Sequence, residues 1–170
     1  MQPRLARATE AESLTALVEA AYAPWVPIIG RRPMPMQDDY AVRIAAGQAW
    51  VLEDPPGTIG ALLVLEPLAD ALLLDNVAVA PASQGSGLGA AMIAFAEAEA
   101  ARRGVARLRL YTHALMASNI ARYARLGFVE TARRSEHGLA RVYMEKAVAG
   151  PPDQKPGSRG MSAAQPRSRP

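Results

Sequence analysis

The 170-residue sequence predicts a single mixed α/β domain, with a central mixed sheet of about six to seven strands and helices on both faces. Three observations carry this. Hydrophobic spacing through the first 150 residues switches repeatedly between the helical and the strand period. Two apolar runs flank the turn signal Pro55-Pro56-Gly57, which makes an antiparallel hairpin. Further on, strand and helix patterns alternate, as crossover connections require.

In chain order, Leu5 to Ala8 has the pattern of a short first strand. Thr9, with Glu12 three residues on, reads as a capping box opening a helix whose Leu14, Leu17, Val18 and Ala21 share one face. The segment 31–40, RRPMPMQDDY, is a proline-broken loop, and Asp38 is placed to cap a second helix ending at Gly47. Ala49–Leu52 and Ile59–Leu65 form the hairpin. Leu72 to Val79 is apolar enough for a buried central strand. A helix follows QGSGLG (84–89), turning Leu88, Met92 and Phe95 inward and closing at Arg102, Arg103 and Gly104. Arg107 to Thr112 is a strand and Ala117 to Leu126 a short helix. Phe128 to Ala132 and Arg141 to Lys146 are the last strands.

Composition narrows the chemistry. Half of the residues are hydrophobic and 21% are charged, as in an ordinary soluble domain. Cysteine is absent, which removes disulfides, thiolate metal sites and a cysteine nucleophile. No apolar run approaches the ~18 residues of a membrane span, and the first residues lack the apolar core of a signal peptide. A cytoplasmic protein without a membrane partner is expected. Arginine makes up nearly all of the basic residues, and with abundant alanine, glycine and proline this favours a bacterial source with a GC-rich genome.

The net charge of +3 lies wholly in residues 151–170, where Lys155, Arg159, Arg167 and Arg169 face Asp153 alone. The rest of the chain is balanced, so it lacks the electrostatic footprint of a nucleic-acid binder. The chain therefore divides into a domain over residues 1–149 and a Pro/Arg-rich tail over 150–170. With five prolines and no Leu, Ile, Val or aromatic residue, the tail is expected to be disordered.

The stretch Gln84-Gly85-Ser86-Gly87-Leu88-Gly89 opens a helix directly after a strand, where backbone amides can meet an anion. A Walker loop is excluded, because no lysine precedes Lys146. Gly85-x-Gly87-x-x-Ala90 satisfies the dinucleotide fingerprint formally. However, no Asp or Glu lies between Glu99 and Glu130 to meet a ribose, so only an NADP-binding version using Arg107 or Arg109 stays open.

Gln84-x-x-Gly87-x-Gly89 in the context Asn76-Val77-Ala78-Val79-x-Pro81 resembles the Q/R-x-x-G-x-G/A motif of the GNAT superfamily of N-acetyltransferases. Asn119-x-Ala121-x-Tyr123-x-x-x-Gly127-Phe128 is similar to a second segment of that family, in the expected order. The resemblance covers about residues 50–146, while the first 50 match by pattern only. It implies a GNAT fold, acetyl-CoA as co-substrate and no metal. The acetyl group would go to a primary amine, on a small molecule or a peptide, by direct attack in a ternary complex. It also implies that the strand before the glycine loop is bulged. Val77, Ala78 and Val79 would offer backbone to the pantetheine arm, and the amides of Gln84, Gly85, Ser86, Gly87, Leu88, Gly89 and Ala90 would hold the pyrophosphate. Asn119 would help hold the cofactor arm, Tyr123 would protonate the departing thiolate, and Arg125 is a candidate for the 3′-phosphate.

The proton-accepting base stays open among His113, Glu66, Asp75 and a water chain. The acceptor wall is expected from Trp25, Met34, Met36 and Tyr40, with Arg31, Arg32, Asp38 and Asp39 at its rim. A non-catalytic acyl-CoA-binding module is the alternative function, and a homodimer stays open.

Overall fold

A computed structural model describes residues 2–149. The tail expected from residue 150 lies outside the described residues. Seven strands form one sheet: β1 (Arg4–Leu5), β2 (Ala49–Glu53), β3 (Ile59–Pro67), β4 (Leu72–Val79), β5 (Arg107–His113), β6 (Val129–Glu136) and β7 (Leu139–Ala147). Their spatial order is β1-β2-β3-β4-β5-β7-β6. The β4–β5 pair is parallel and every other pair antiparallel. The helices are α1 (Ala11–Tyr22), α2 (Val26–Ile29), α3 (Tyr40–Ala45), α4 (Leu88–Arg102) and α5 (Ala117–Arg125). One parallel pair is too little for the parallel βαβ sheet that a dinucleotide site is built on.

Two cores sandwich the sheet. On one face α4 lays Leu88, Met92, Ile93 and Ala96 over Leu63, Leu74, Leu110 and Val142. On the other, Leu14, Leu17 and Val18 of α1 pack with Tyr40 against Val51, Leu62 and Val64. β3 contributes to both and is buried almost throughout, so it, and not β4, is the strand buried on both faces.

β4 instead alternates buried and half-buried residues, and a bulge divides it. Val64 pairs with Asn76 and Leu65 with Leu74, leaving Asp75 as the extra residue. The bulge changes which residues face which core. Leu72 and Leu74 before it, and Val77 and Val79 after it, meet the α4 core, whereas Ala78 meets the α1 core. β5 pairs with β4 only over Leu72–Leu74, so the strands part where the bulge begins.

Local expectations shift in four places. The first strand is Arg4–Leu5 and ends before Ala6–Ala8. Thr9 caps nothing; a 3-10 turn at Ala8–Glu10 precedes α1, and the Glu10 carboxylate accepts the Arg7 amide at 2.7 Å. Asp39, not Asp38, caps α3, accepting the amides of Ala41 and Val42, because Asp38 is drawn into an ion pair with Arg43. The proline-rich loop carries α2 and a 3-10 turn at Met34–Gln37, since proline at a first helical position does not obstruct a short turn. Finally, β7 inserts between β5 and β6, so α5 carries the chain across β7 to β6, which runs parallel to β5 without bonding to it.

Candidate active site

The QGSGLG loop is shaped by two left-handed glycines, Gly85 (φ 80°) and Gly87 (φ 89°), a conformation costly for residues with a Cβ. Gly87 is the residue from which α4 starts, and the first α-helical bond runs from Ala91 N–H to Gly87 O. The amides preceding Ala91 therefore point out of the helix end, where the macrodipole is positive. Ser86 turns away and closes the loop on itself, its hydroxyl donating to Ser83 O at 2.6 Å. Gln84 donates back to Val79 O at 3.3 Å.

This loop borders a cavity of about 590 Å³. Val77, Ala78, Val79, Gln84, Gly85, Gly87, Leu88, Gly89, Ala90, Asn119 and Tyr123 all stand on its wall; Ser86 does not. Arg122 and Arg125 also line it, and no carboxylate does among the described residues. Open helix-end amides, Cβ-free glycines and two arginines without an acidic neighbour on the wall fit a pyrophosphate-bearing cofactor with a further phosphate. Trp25, expected on the acceptor wall, lines this cavity instead.

A second cavity, of about 220 Å³, lies beyond the parting of β4 and β5. Tyr22, Val77, Asn119 and Tyr123 border both cavities and mark where they meet. Tyr123 packs edge-on against Phe128, with ring centroids 5.8 Å apart. Burial pushes its hydroxyl up to about 12, and that hydroxyl bonds to no described residue, so its proton is free to give. The Asn119 side chain makes only a weak bond among the described residues, to the Met116 sulfur at 3.6 Å.

Tyr22 is differently placed. Tyr40 Oη donates to Pro35 O at 2.8 Å, an oxygen that can only accept. Tyr40 must then accept from Asn76 Nδ2, at 3.0 Å, which turns Asn76 Oδ1 toward Tyr22. The Tyr22 hydroxyl donates to that oxygen at 2.7 Å. Its proton is spent, and toward the cavities it can only accept. Burial raises both Tyr22 and Tyr40 above the ordinary phenol range.

Of the candidate bases, Glu66 is held by Arg43 at 3.0 Å and stands off the wall. His113 lines the smaller cavity, but its Nδ1 accepts the Leu115 amide at 3.2 Å. Burial, then Arg31, holds the ring below its usual pKa, so it is neutral with the proton on Nε2. Asp75 lines the same cavity, accepting from Tyr111 Oη at 2.8 Å and Arg43 Nη2 at 2.9 Å. Burial raises its carboxyl above the usual range, against the pull of both partners.

Of the expected acceptor wall, Met34 and Asp38 are on it. Met36 and Tyr40 belong to the α1 core, Arg32 pairs with Glu19, and Arg31 stands off the wall, reaching His137 O at 3.4 Å. Tyr22, Asn76, Arg43, Tyr111 and Arg141 escaped sequence reasoning. Tyr22 follows Leu14 and Val18 at helical spacing, and nothing in that pattern separates a site residue from a core one.

The family model for the acetyltransferase (GNAT) domain matches residues 45–130, just over half of the chain. No curated protein matches the sequence significantly. Among solved structures, a ribosomal-protein-alanine N-acetyltransferase from Escherichia coli superposes with a TM-score of 0.69 at 22% identity, over 90% of this chain and 97% of that one. The PaiA N-acetyltransferase of Thermoplasma acidophilum, crystallised with coenzyme A, gives 0.72 at 17% identity, over 86% and 98%. A ribosomal-protein-alanine N-acetyltransferase from Brucella melitensis gives 0.68 at 21%, over 86% and 99%. At such identities these likenesses speak for the fold.

Proposed function

The chain belongs to the acetyltransferase (GNAT) family, and from that premise we propose that it moves an acetyl group from acetyl-CoA directly onto a primary amine in a ternary complex. The observation carrying this reading is the meeting of the two cavities at Tyr22, Val77, Asn119 and Tyr123, where β4 parts from β5. A cofactor arm entering from the glycine-loop side and an amine from the other would meet there.

When bound, acetyl-CoA supplies an activated acyl carbonyl and a thiolate leaving group. The amides of Gly85 and of Gly87 to Ala90 would hold the pyrophosphate, since the Gln84 amide is taken by Pro81 O at 3.3 Å and Ser86 stands off the wall. The parted backbone of Val77, Ala78 and Val79 would pair with the pantetheine arm, with Asn119 beside it. Arg122 and Arg125 meet the remaining phosphate charge. Tyr22 accepts one N–H of the incoming amine and so turns the nitrogen lone pair toward the thioester. Asp75 takes the proton that the ammonium must lose, its raised pKa making it the stronger base for that step. Tyr123 would give a proton to the departing sulfur, and the second proton that nitrogen loses as the amide forms would restore it.

Calorimetric titration with acetyl-CoA, with NADPH alongside and Gly87→Glu as control, tests the cofactor half. Saturable acetyl-CoA binding that Gly87→Glu abolishes is expected; binding of NADPH alone overturns the reading. Acetyl-CoA binding with no turnover of any amine would make the domain an acyl-CoA-binding module.

A further inference from the structure

The acceptor-side cavity sorts its polar groups by kind. At the β4 end stand carboxylates, Asp75 and Asp38, gathered with Glu66 around Arg43. Three carboxylates outnumber one guanidinium there. Arg43 is nearly saturated: its Nε donates to Asp38, Nη1 to Gln48 and Glu66, and Nη2 to Asp75. It holds its neighbours and has little left for a ligand, while the excess negative charge suits an ammonium group.

At the other end, where β5 and β7 pair His113 with Arg141, the wall offers donors. Arg141 lies over the Tyr111 ring, its Cζ 4.5 Å from the centroid, and gives one bond to Glu136 at 3.0 Å. The other N–H groups of its fork have no acceptor among the described residues. His113 adds an Nε2–H, because its Nδ1 is taken by the Leu115 amide. Two donors of this kind, one a guanidinium fork, match a carboxylate. Between the ends, Tyr111 forms a floor whose own hydroxyl is committed to Asp75. Ile29, Met34 and Leu139 leave an apolar side, and about 220 Å³ suits a small molecule.

We propose that the acceptor is a small zwitterion, an amino acid with an apolar side chain or a close analogue, its amine facing Asp75 and Asp38 and its carboxylate held by Arg141 and His113. This rests on the acetyltransfer reading above and deepens it.

The test follows CoA release from acetyl-CoA with L-leucine, L-methionine and L-phenylalanine. Each is set against its amide and its decarboxylated amine, with spermidine and an alanine-first peptide beside them. Expected is a kcat/KM at least about tenfold higher for the free amino acid than for its amide, a loss typical of an unpaired charge partner. That ratio should fall toward one in Arg141→Gln and recover in part in Arg141→Lys, which keeps the charge without the fork. Equal or better turnover of amides, amines, spermidine or peptide overturns the proposal, as does a ratio that survives Arg141→Gln. If Arg141→Gln fails to fold, the wild-type ratio alone decides. Acetyl-CoA binding without turnover of any free amino acid also overturns the zwitterion while leaving the cofactor reading intact; absence of acetyl-CoA binding overturns the reading beneath both.

Discussion

Tyr22 and Tyr123 stand at the same junction with opposite hydrogen-bonding capacities. One has given its proton to Asn76, and the other has no described partner. Tyr123→Phe is therefore expected to lower kcat by about 10²-fold, a usual loss for a general acid, with the acetyl-CoA Kd unchanged. Since burial lifts its hydroxyl to about 12, the group stays protonated through neutral and mildly alkaline pH. The wild-type rate should thus show no alkaline fall from this residue below roughly pH 11, which a pH–rate profile checks. The glycines of the loop separate in the same way. Gly87 is left-handed, whereas Gly89 has ordinary backbone and a Cβ there would sit 3.6 Å from Val79 Cγ2, a normal contact. Gly87→Ala should weaken acetyl-CoA binding by at least about tenfold through backbone strain, and Gly89→Ala should fold as wild type. Calorimetry and thermal melts distinguish the two.

At the scale of elements, β1 has two residues and cannot hold its place by ladder bonds alone. Arg4 supplies the rest, bonding Glu10 ahead of α1 at 2.8 Å and Glu53 of β2 at 2.6 Å. The hydrogen bond from Arg4 holds the Glu10 carboxyl at about 2, below its ordinary 4.5. A carboxyl lowered in the folded state stabilises fully above its unfolded value and loses that contribution as pH falls through the folded one. Glu10→Gln should accordingly cost about 1 kcal/mol at pH 7, discounted for a partly exposed pair, and the gap from wild type should close between roughly pH 4.5 and 2. Melting curves across that range measure it. β4 shows what a strand's own sequence carries and what it does not. Its bounds, Leu72 to Val79, were legible from the apolar run, but an inserted residue at Asp75 changes which side each neighbour faces. Alternation along one strand cannot reveal a bulge, which exists only relative to the partner strand.

Across the whole molecule, charge is distributed by site. The glycine-loop cavity carries Arg122 and Arg125 and no described carboxylate, and the acceptor-side cavity carries both signs. The KM for acetyl-CoA should rise with ionic strength, and replacing both Arg122 and Arg125 by Ala should raise it at low salt and flatten the dependence. Steady-state kinetics between low and physiological salt would show it. The glycine loop and the Asn119–Tyr123 segment were legible because each is marked by local backbone or by helical spacing. Read alone, the sequence yields the order of the strands and of the longer helices, the loop that starts α4 and the family. Only the tertiary structure decided that Tyr22, Asn76 and Tyr40 form a one-way chain of hydrogen bonds, and that Asp75 and Arg141 face one cavity. Those hydrogen bonds join residues 36 and 54 positions apart, and Asp75 and Arg141 are 66 apart; distance along a chain does not say which side chains packing will bring together.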